Sequence, residues 1–243
     1  ESLVTIDILK RVEAAQCPVL VILADVPSFG YRPRDIRNGL SMPPRMTMTN
    51  IINALKRPHW ALNTLIHGQP SFEILKPYMP KNLNLNQLAR FMDTTFSGRL
   101  NEVKIKRIRD LWKGKLVLKG AESIHDVEKA YQLGLDGVII SNHGGRQVDV
   151  GQATIDSLKT IAPLYKNKLT VMMDSGIRGG ADVARVMAHG ADFSFLGRTF
   201  MYGVSALGEK GGDHTISMLK VQLTQVMEQM SCGIVSDLQN KLV

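Results

Sequence analysis

The run Ser141-Asn142-His143-Gly144-Gly145-Arg146 sets a histidine and an arginine three residues apart in a glycine turn, directly after the apolar stretch Asp136-Gly137-Val138-Ile139-Ile140. An imidazole exchanges protons near neutral pH, and a guanidinium grips a carboxylate through parallel hydrogen bonds. Together they form the pair needed to deprotonate an acid substrate while holding its carboxylate. Leu118-Lys119-Gly120 precedes this run, and Asp174-Ser175-Gly176-Ile177-Arg178-Gly179-Gly180 and Gly197-Arg198 follow it. Each cluster trails an apolar segment, the pattern of polar residues at the C-terminal ends of barrel strands.

Ordinary readings exist for each cluster. Glycine is common in any strand-to-helix turn, yet two neighbouring loops with the same Gly/Arg chemistry suit a phosphate, cradled by backbone amides and gripped by arginine. A lysine is usually a solvated surface group. Lys119, between Leu118 and Gly120 at a strand end, instead suits a fixed cation facing an electron-rich ring. A lone histidine is more often structural, and His125 and His189, on helices, are read so. His143, flanked by Asn142 and Gly144-Gly145, reads as a general base. Asp25 ends another apolar run and could orient its imidazole, and Arg32 offers a second cation for a carboxylate. No His/Cys/Asp cluster has metal-ligand spacing, so no metal is expected.

The elements carrying these residues alternate. An amphipathic helix is expected over 3–16, then strands over 18–23, 115–118, 137–140, 168–173 and 193–196. Helices are expected over 101–112, from Ser123 as cap, and over 155–165, 181–189 and 214–229. Pro43-Pro44, Pro58, Pro70, Pro77 and Pro80 break residues 36–100 into short helical pieces, too long for a plain connector and suited to a functional loop over a site. The expected fold class is α/β, a (β/α)8 TIM barrel of which only the C-terminal five β/α units are present.

Composition bounds the rest. The 243 residues, 44% hydrophobic, suffice for one large domain or two small ones. A net charge of +8, spread along the chain, suits a solvated basic surface as well as anionic substrates, phosphate cofactors or an anionic membrane surface, and speaks against a dedicated nucleic-acid function. Cys17 and Cys232 have neither metal nor redox-motif spacing, which suggests a reducing compartment. No membrane-spanning stretch or signal peptide is visible, and Glu1 in place of Met suggests a processed, trimmed or partial chain.

In this order, the clusters resemble the FMN-dependent 2-hydroxy acid dehydrogenases and oxidases. The matching runs are Ala24-Asp25-Val26-Pro27 with Arg32, Arg34-Asp35-Ile36-Arg37-Asn38-Gly39, Leu116 to Gly120, Ser141 to Gln147, Asp174 to Arg178, and Leu196-Gly197-Arg198. Phe200-Met201-Tyr202-Gly203 and the final helix are most similar to the bacterial flavin-type L-lactate dehydrogenase branch. The resemblance covers 1–243 as one domain, with a mobile loop at about 43–99 and the family's N-terminal strands missing.

The resemblance implies FMN as cofactor and oxidation of a small L-2-hydroxy acid, L-lactate to pyruvate. His143 is then the base that takes the hydroxyl or α-proton, leaving the carbanion and hydride descriptions both open, and Asp25 is its partner. Arg146 and Arg32 bind the substrate carboxylate. Lys119 and Ser141 contact the flavin, and Asp174, Ser175, Gly176, Arg178, Gly197 and Arg198 hold it and its phosphate. Leu23 stands where the family has a flavin-contacting threonine. A homo-oligomer is implied, with a quinone, a cytochrome or oxygen as electron acceptor. A cytoplasmic location is expected, peripheral on the inner face of the cytoplasmic membrane. The alternatives are a non-catalytic or incomplete fragment of such an enzyme and another FMN- or phosphate-binding barrel oxidoreductase.

Overall fold

Five short apolar segments pair side by side, in parallel and in chain order, as β1 (Val19–Leu23), β2 (Lys115–Ala121), β3 (Gly137–Ile140), β4 (Thr170–Met173) and β5 (Phe193–Ser194). The computed structural model describes residues 3–28, 32–40, 45–68, 73–80, 87, 91 and 99–241. They form two compact units: Ile6–Val26 with Arg99–Val243, and Glu1–Thr5 with Pro27–Gly98.

The larger unit holds the sheet. Its helices are α1 (Leu3–Ala14), whose first residues fall in the smaller unit, then α5 (Glu102–Leu111), α6 (Ile124–Gln132), α7 (Thr154–Tyr165), α8 (Gly180–Ala188), α9 (Arg198–Leu207) and α10 (Gly211–Gln229). Leu116, Leu118, Val138, Ile140, Val171 and Met173 project from one sheet face into a core shared with Leu9, Val12, Ile105, Val127, Leu158, Ile161 and Val186 of the helices. Leu9 and Val12 are partly buried; each fully buried aliphatic chain among the others contributes about 1.5–3 kcal/mol. Sequential strand order with the core helices packed on one face is how a (β/α) barrel is wound, and it distinguishes this sheet from a doubly wound one. The chain thus has an α/β fold consistent with part of a barrel.

Residues aligned across a parallel ladder point to the same side of the sheet. The face opposite the helices carries Val21, Val117, Leu23, Lys119, Ile139, Met172 and Phe193. Val117 and Ile139 are buried at its centre, while Val19, Val21 and Leu23 on β1 and Phe193 on β5 are exposed. This face leads to the candidate site.

Two loops repeat one device. Gly134-Leu135-Asp136 and Gly190-Ala191-Asp192 each end a helix on a glycine of positive φ (73° and 94°) and enter the next strand on an aspartate. Asp136 Oδ2 accepts the Leu116 amide (2.9 Å), and Asp192 Oδ2 accepts the Val171 amide (2.8 Å). Each carboxylate thereby fixes the start of one strand against its neighbour.

All five expected strands are found, β3 at its expected bounds and the others with shifted ends. β2 continues to Ala121 through a bulge at Gly120, and β5 stops at Ser194. The final helix begins at Gly211 rather than His214, and α9, not anticipated, precedes it. Ser123 caps α6 as expected, its hydroxyl accepting the Asp126 amide, and Asn101 caps α5. The smaller unit holds α2 (Pro33–Arg37), α3 (Met48–Leu55), α4 (Pro58–His67) and a 3-10 turn at Lys76–Tyr78. The expected functional loop at 43–99 is thus partly helical; its residues 43–44, 69–72, 81–86, 88–90 and 92–98 lie outside the described residues. Among the described residues, no helix is long and apolar enough to cross a membrane, and no group of three or more His, Cys, Asp or Glu could hold a metal ion.

Candidate active site at the strand ends

Lys119 is the hub of the site. Its ammonium lies 2.6 Å from Asp25 Oδ2, 2.8 Å from Ser141 Oγ and 3.3 Å from Asp174 Oδ2, tying together the ends of β1, β2, β3 and β4. Gly120 makes this approach possible. At φ +100°, in the bulge, an added Cβ would sit 2.6 Å from Asp25 Cβ and 2.7 Å from its backbone nitrogen. Bulges re-aim side chains at strand ends in this way. The Asp25 side chain is 6% exposed, and its Oδ1 is buried without a hydrogen-bond partner.

The β3 loop is held in an uncommon conformation. His143, Gly144 and Gly145 follow one another at φ 55°, 67° and 70°. Positive φ is uncommon for a residue with a side chain and collects at functional sites when the surroundings enforce it. Here they do. Ser141 Oγ accepts the His143 amide (3.1 Å), Ser175 Oγ the Gly144 amide (3.0 Å) and Asn142 Oδ1 the Gly145 amide (3.1 Å). Ser175 is itself at φ 77° and donates to Asp174 Oδ1 (2.7 Å). A Cβ on Gly144 would meet the Arg198 guanidinium at 2.5 Å, and Arg198 Nη2 donates to the Gly144 carbonyl (2.6 Å).

His143 Nδ1 is buried and lies 3.4 Å from Asp25 Oδ2, facing it without a hydrogen bond. Asp25 Oδ2 and His143 Nδ1 thus face each other at 3.4 Å, while the carboxylate is bound first to Lys119. With Nδ1 directed inward, Nε2 is the nitrogen left for a ligand. Ser141, expected at the flavin, is fully buried, and its hydroxyl meets the Lys119 ammonium, the His143 amide and Asp25 Oδ2.

A cavity of about 520 Å³ opens beside these groups and is lined by Lys119, His143, Arg146, Gly176, Arg178 and Arg198 among others. Its volume lies within the roughly 300–1,000 Å³ typical of ligand sites. Gly176 and Gly197 are exposed, and nothing lies within 4 Å of where a Cβ would stand, so their backbone is open to a ligand. Arg178 and Arg198 stand beside them, and Arg198 opens α9. A helix N-terminus, open glycines and two guanidiniums are the donor set a phosphate needs. Lys119 supplies a cation on the same cavity. The residues present therefore fit a flavin mononucleotide.

Eleven of the twelve expected site residues lie in the larger unit, clustered at the strand ends. The twelfth, Arg32, belongs to the smaller unit, where it precedes α2 with Nη1 3.9 Å from Asp35 Oδ2. Arg146 is exposed at the cavity rim. Gly120 and Asn142 stood in the singled-out runs without a role of their own, and Thr154, whose hydroxyl donates to the Asp174 carbonyl (3.0 Å), was not anticipated. The Asn-x-x-Gly spacing carries a signal for the Asn142 contact to the Gly145 amide, as Ser-x-His does for the Ser141 contact to the His143 amide, because short polar side chains bond amides two or three residues on.

The whole chain, residues 1–243, matches the FMN-dependent dehydrogenase family. It is 36% identical over 235 residues to an L-lactate dehydrogenase of Bartonella tribocorum, covering 93% of this chain and 61% of that protein. An L-lactate dehydrogenase of Alcaligenes faecalis is 33% identical over 236 residues, covering 97% and 62%. The crystal structure of (S)-mandelate dehydrogenase, a monotopic membrane protein, superposes with a TM-score of 0.90 at 30% identity, over 98% of this chain and 63% of that one. A mandelate oxidase holding (S)-4-hydroxymandelic acid superposes with a TM-score of 0.75 at 26% identity, over 97% and 60%. The chain spans about three fifths of the length of these relatives. With a match over its full length, and with Lys119, His143 and two Gly/Arg loops gathered on one cavity, the chain belongs to the family of FMN-dependent dehydrogenases.

Proposed function

We propose that this chain takes part in the FMN-dependent oxidation of a small L-2-hydroxy acid, lactate by the names of its relatives, to the 2-oxo acid. One observation carries this reading: His143, with Nδ1 turned toward Asp25, shares a cavity with the Lys119 ammonium and the Gly/Arg loops. Bound FMN would accept the two electrons that the substrate loses. Of the two hydrogens the substrate loses, His143 would take one as a proton, and Asp25 would stabilise the resulting imidazolium. That proton would come from the hydroxyl while the C2 hydrogen leaves with the electron pair to the flavin, or from C2 while the hydroxyl proton goes to the reduced flavin or solvent. Arg146 would hold the substrate carboxylate, and Arg32 is proposed as a second carboxylate ligand on the resemblance alone. Lys119 would stabilise negative charge at the pyrimidine edge of the flavin ring. Asp174, Ser175, Gly176, Arg178, Gly197 and Arg198 would hold the ribityl phosphate arm.

The test is anaerobic. The purified chain is mixed with FMN and L-lactate, and the visible absorbance of oxidised flavin is followed. Bleaching by the wild type that is lost in His143→Ala supports the reading. Failure to bind FMN supports the second reading, an incomplete or non-catalytic chain, which the exposed apolar face of β1 and β5 favours. Flavin binding without bleaching by L-lactate, but with bleaching by another 2-hydroxy acid, would change the substrate alone.

We further propose peripheral contact with an anionic membrane on the cytoplasmic face, in a homo-oligomer that passes electrons to a quinone, a cytochrome or oxygen. Met48 and Leu55 of α3 and Trp60, Leu65 and Ile66 of α4 are all more than half exposed, beside Lys56 and Arg57. Apolar side chains next to cations suit a headgroup interface. Co-sedimentation with anionic vesicles that falls as salt rises supports this contact, and absence of binding at low salt removes it.

A further inference from the structure

Gly179 stands at the cap position of α8, where a short polar side chain would accept one of the first helical amides, and glycine has none to offer. The acceptor comes from another helix: Gln222 Oε1 of α10 takes the Gly180 amide at 2.8 Å. This close approach requires both glycines. A Cβ on Gly179 would lie 3.0 Å from Gln222 Oε1, and one on Gly180 would lie 2.3 Å from the Leu223 nitrogen and 2.5 Å from Gln222 Cβ. Leu223, Val226, Met227 and Met230 of α10 pack against Ala184 and Ala188 of α8, a helical 3–4 spacing that sets the neighbouring Gln222 at the helix end.

We infer that Gln222 is a positioning residue: from α10 it seats the loop between β4 and α8, and through that loop it fixes Arg178 at the cavity. The Arg178 and Gly179 amides donate to Asp182 Oδ2 (2.9 and 3.2 Å), and the Gly180 amide, next in line, donates to Gln222. On the carbonyl side, Thr199 of α9 donates to the Ile177 carbonyl (3.3 Å). Arg178 Nη1 donates to the same carbonyl (3.0 Å), so the guanidinium takes its direction from the loop backbone. The loop is thus held from α8, α9 and α10 at once. Only the α10 hold comes from a residue 42 positions away along the chain. Removing Oε1 frees the Gly180 amide, two residues from Arg178, and leaves the Asp182 and Thr199 holds in place.

The seating of the loop is tested in the ligand-free protein by amide hydrogen exchange. In Gln222→Ala the Gly180 amide is expected to exchange about tenfold faster, for one lost hydrogen bond. The Leu116 and Val171 amides, held by Asp136 and Asp192, are expected to stay within about twofold as remote controls. Gln222→Glu keeps an acceptor at the positive end of α8 and is expected to retain the Gly180 protection. Gln222→Met, close in length but a weak acceptor, replaces the alanine variant if that fails to fold. Unchanged Gly180 exchange, or equal acceleration at all three amides, overturns the inference.

The second arm rests on the reading above, in which Arg178 grips the flavin phosphate. FMN and riboflavin, which has the same ring and ribityl chain without the phosphate, are titrated by fluorescence. In Gln222→Ala the FMN dissociation constant is expected to rise by about 3- to 10-fold, and that of riboflavin to stay within about twofold. Equal weakening of both flavins would make Gln222 a general support of the fold and overturns the inference, as does faster Gly180 exchange with both affinities unchanged. Wild-type protein that binds FMN no better than riboflavin, or binds neither, overturns the phosphate reading instead, and the exchange arm still decides whether Gln222 seats the loop.

Discussion

Asp25 is held by Lys119 more closely than by His143: the same carboxylate oxygen, Oδ2, lies 2.6 Å from the lysine nitrogen and 3.4 Å from the imidazole. Lys119 and Asp25 are 94 residues apart in the chain and meet because β1 and β2 are adjacent and in register. The carboxylate is buried, so its charge is balanced locally, by the ammonium first. Asp25 therefore serves two groups, fixing the lysine and facing the base.

Asp25→Asn tests both roles. The amide keeps the shape and removes the charge, leaving Lys119 to Asp174 and Ser141. A loss of about 1–3 kcal/mol in urea-unfolding free energy is expected for the broken charged contact. Flavin bleaching by substrate is expected to slow by about 10²–10⁴-fold, as for a general base that loses its partner. Slower bleaching at unchanged stability would restrict Asp25 to the imidazole.

Gly120→Ala attacks the same contact through the backbone. The new methyl would lie 2.6 Å from Asp25 Cβ, against main chain as well as side chain, at a φ of +100° that alanine rarely adopts. Steric overlap and backbone strain together predict a loss of about 2–4 kcal/mol, read by urea or thermal unfolding. A neutral substitution would mean that the β1 end shifts freely, and the Lys119–Asp25 distance would then carry no weight.

The strands were legible because parallel strands buried on both faces read as continuous apolar runs. Gly137–Ile140, buried at every position, is the clearest case. Their ends were less so. Lys119-Gly120-Ala121 looks like a turn in sequence, yet the ladder resumes after the bulge. The α9 helix was hidden because Gly203 and Gly208 read as breakers. Site residues were found through type and spacing at strand ends. Which of them face the cavity was not readable: burial of Ser141 and the preference of Asp25 for Lys119 depend on strand register, which brings distant residues together. Arg32 stands in a separate compact unit, a division that its proline-rich surroundings did not reveal.

Leu23 pairs in register with Lys119 on the open face and is 46% exposed, so it presents hydrocarbon beside the cation. Leu23→Thr puts a hydroxyl at this position. If FMN lies against Lys119, one added hydrogen bond of about 0.5–1.5 kcal/mol should tighten binding by about 2- to 12-fold, measured by fluorescence titration. The threonine also suits a strand, so folding should be little changed. Weaker or unchanged FMN binding would place the ring away from β1.

Asp136 gives the larger unit a defined acid response. Burial alone would raise its pKa, but hydrogen bonds from Lys115, the Leu116 amide and Arg109 outweigh that and lower it. Arg109 and Lys115 lie 3.0 and 2.8 Å away. A carboxyl whose folded-state pKa is depressed stabilises the fold fully above its unfolded value, about 3.9, and that stability is lost as pH falls through the lower folded value. Unfolding free energy should therefore be flat in this contribution near neutrality and decline below about pH 4. Asp136→Asn removes the titration and leaves the charged partners uncompensated. It should cost about 1–3 kcal/mol at pH 7, with the deficit shrinking toward low pH, where the wild-type carboxyl is itself protonated. A deficit equal at pH 7 and pH 3 would show that the Asp136 contacts do not depend on its charge.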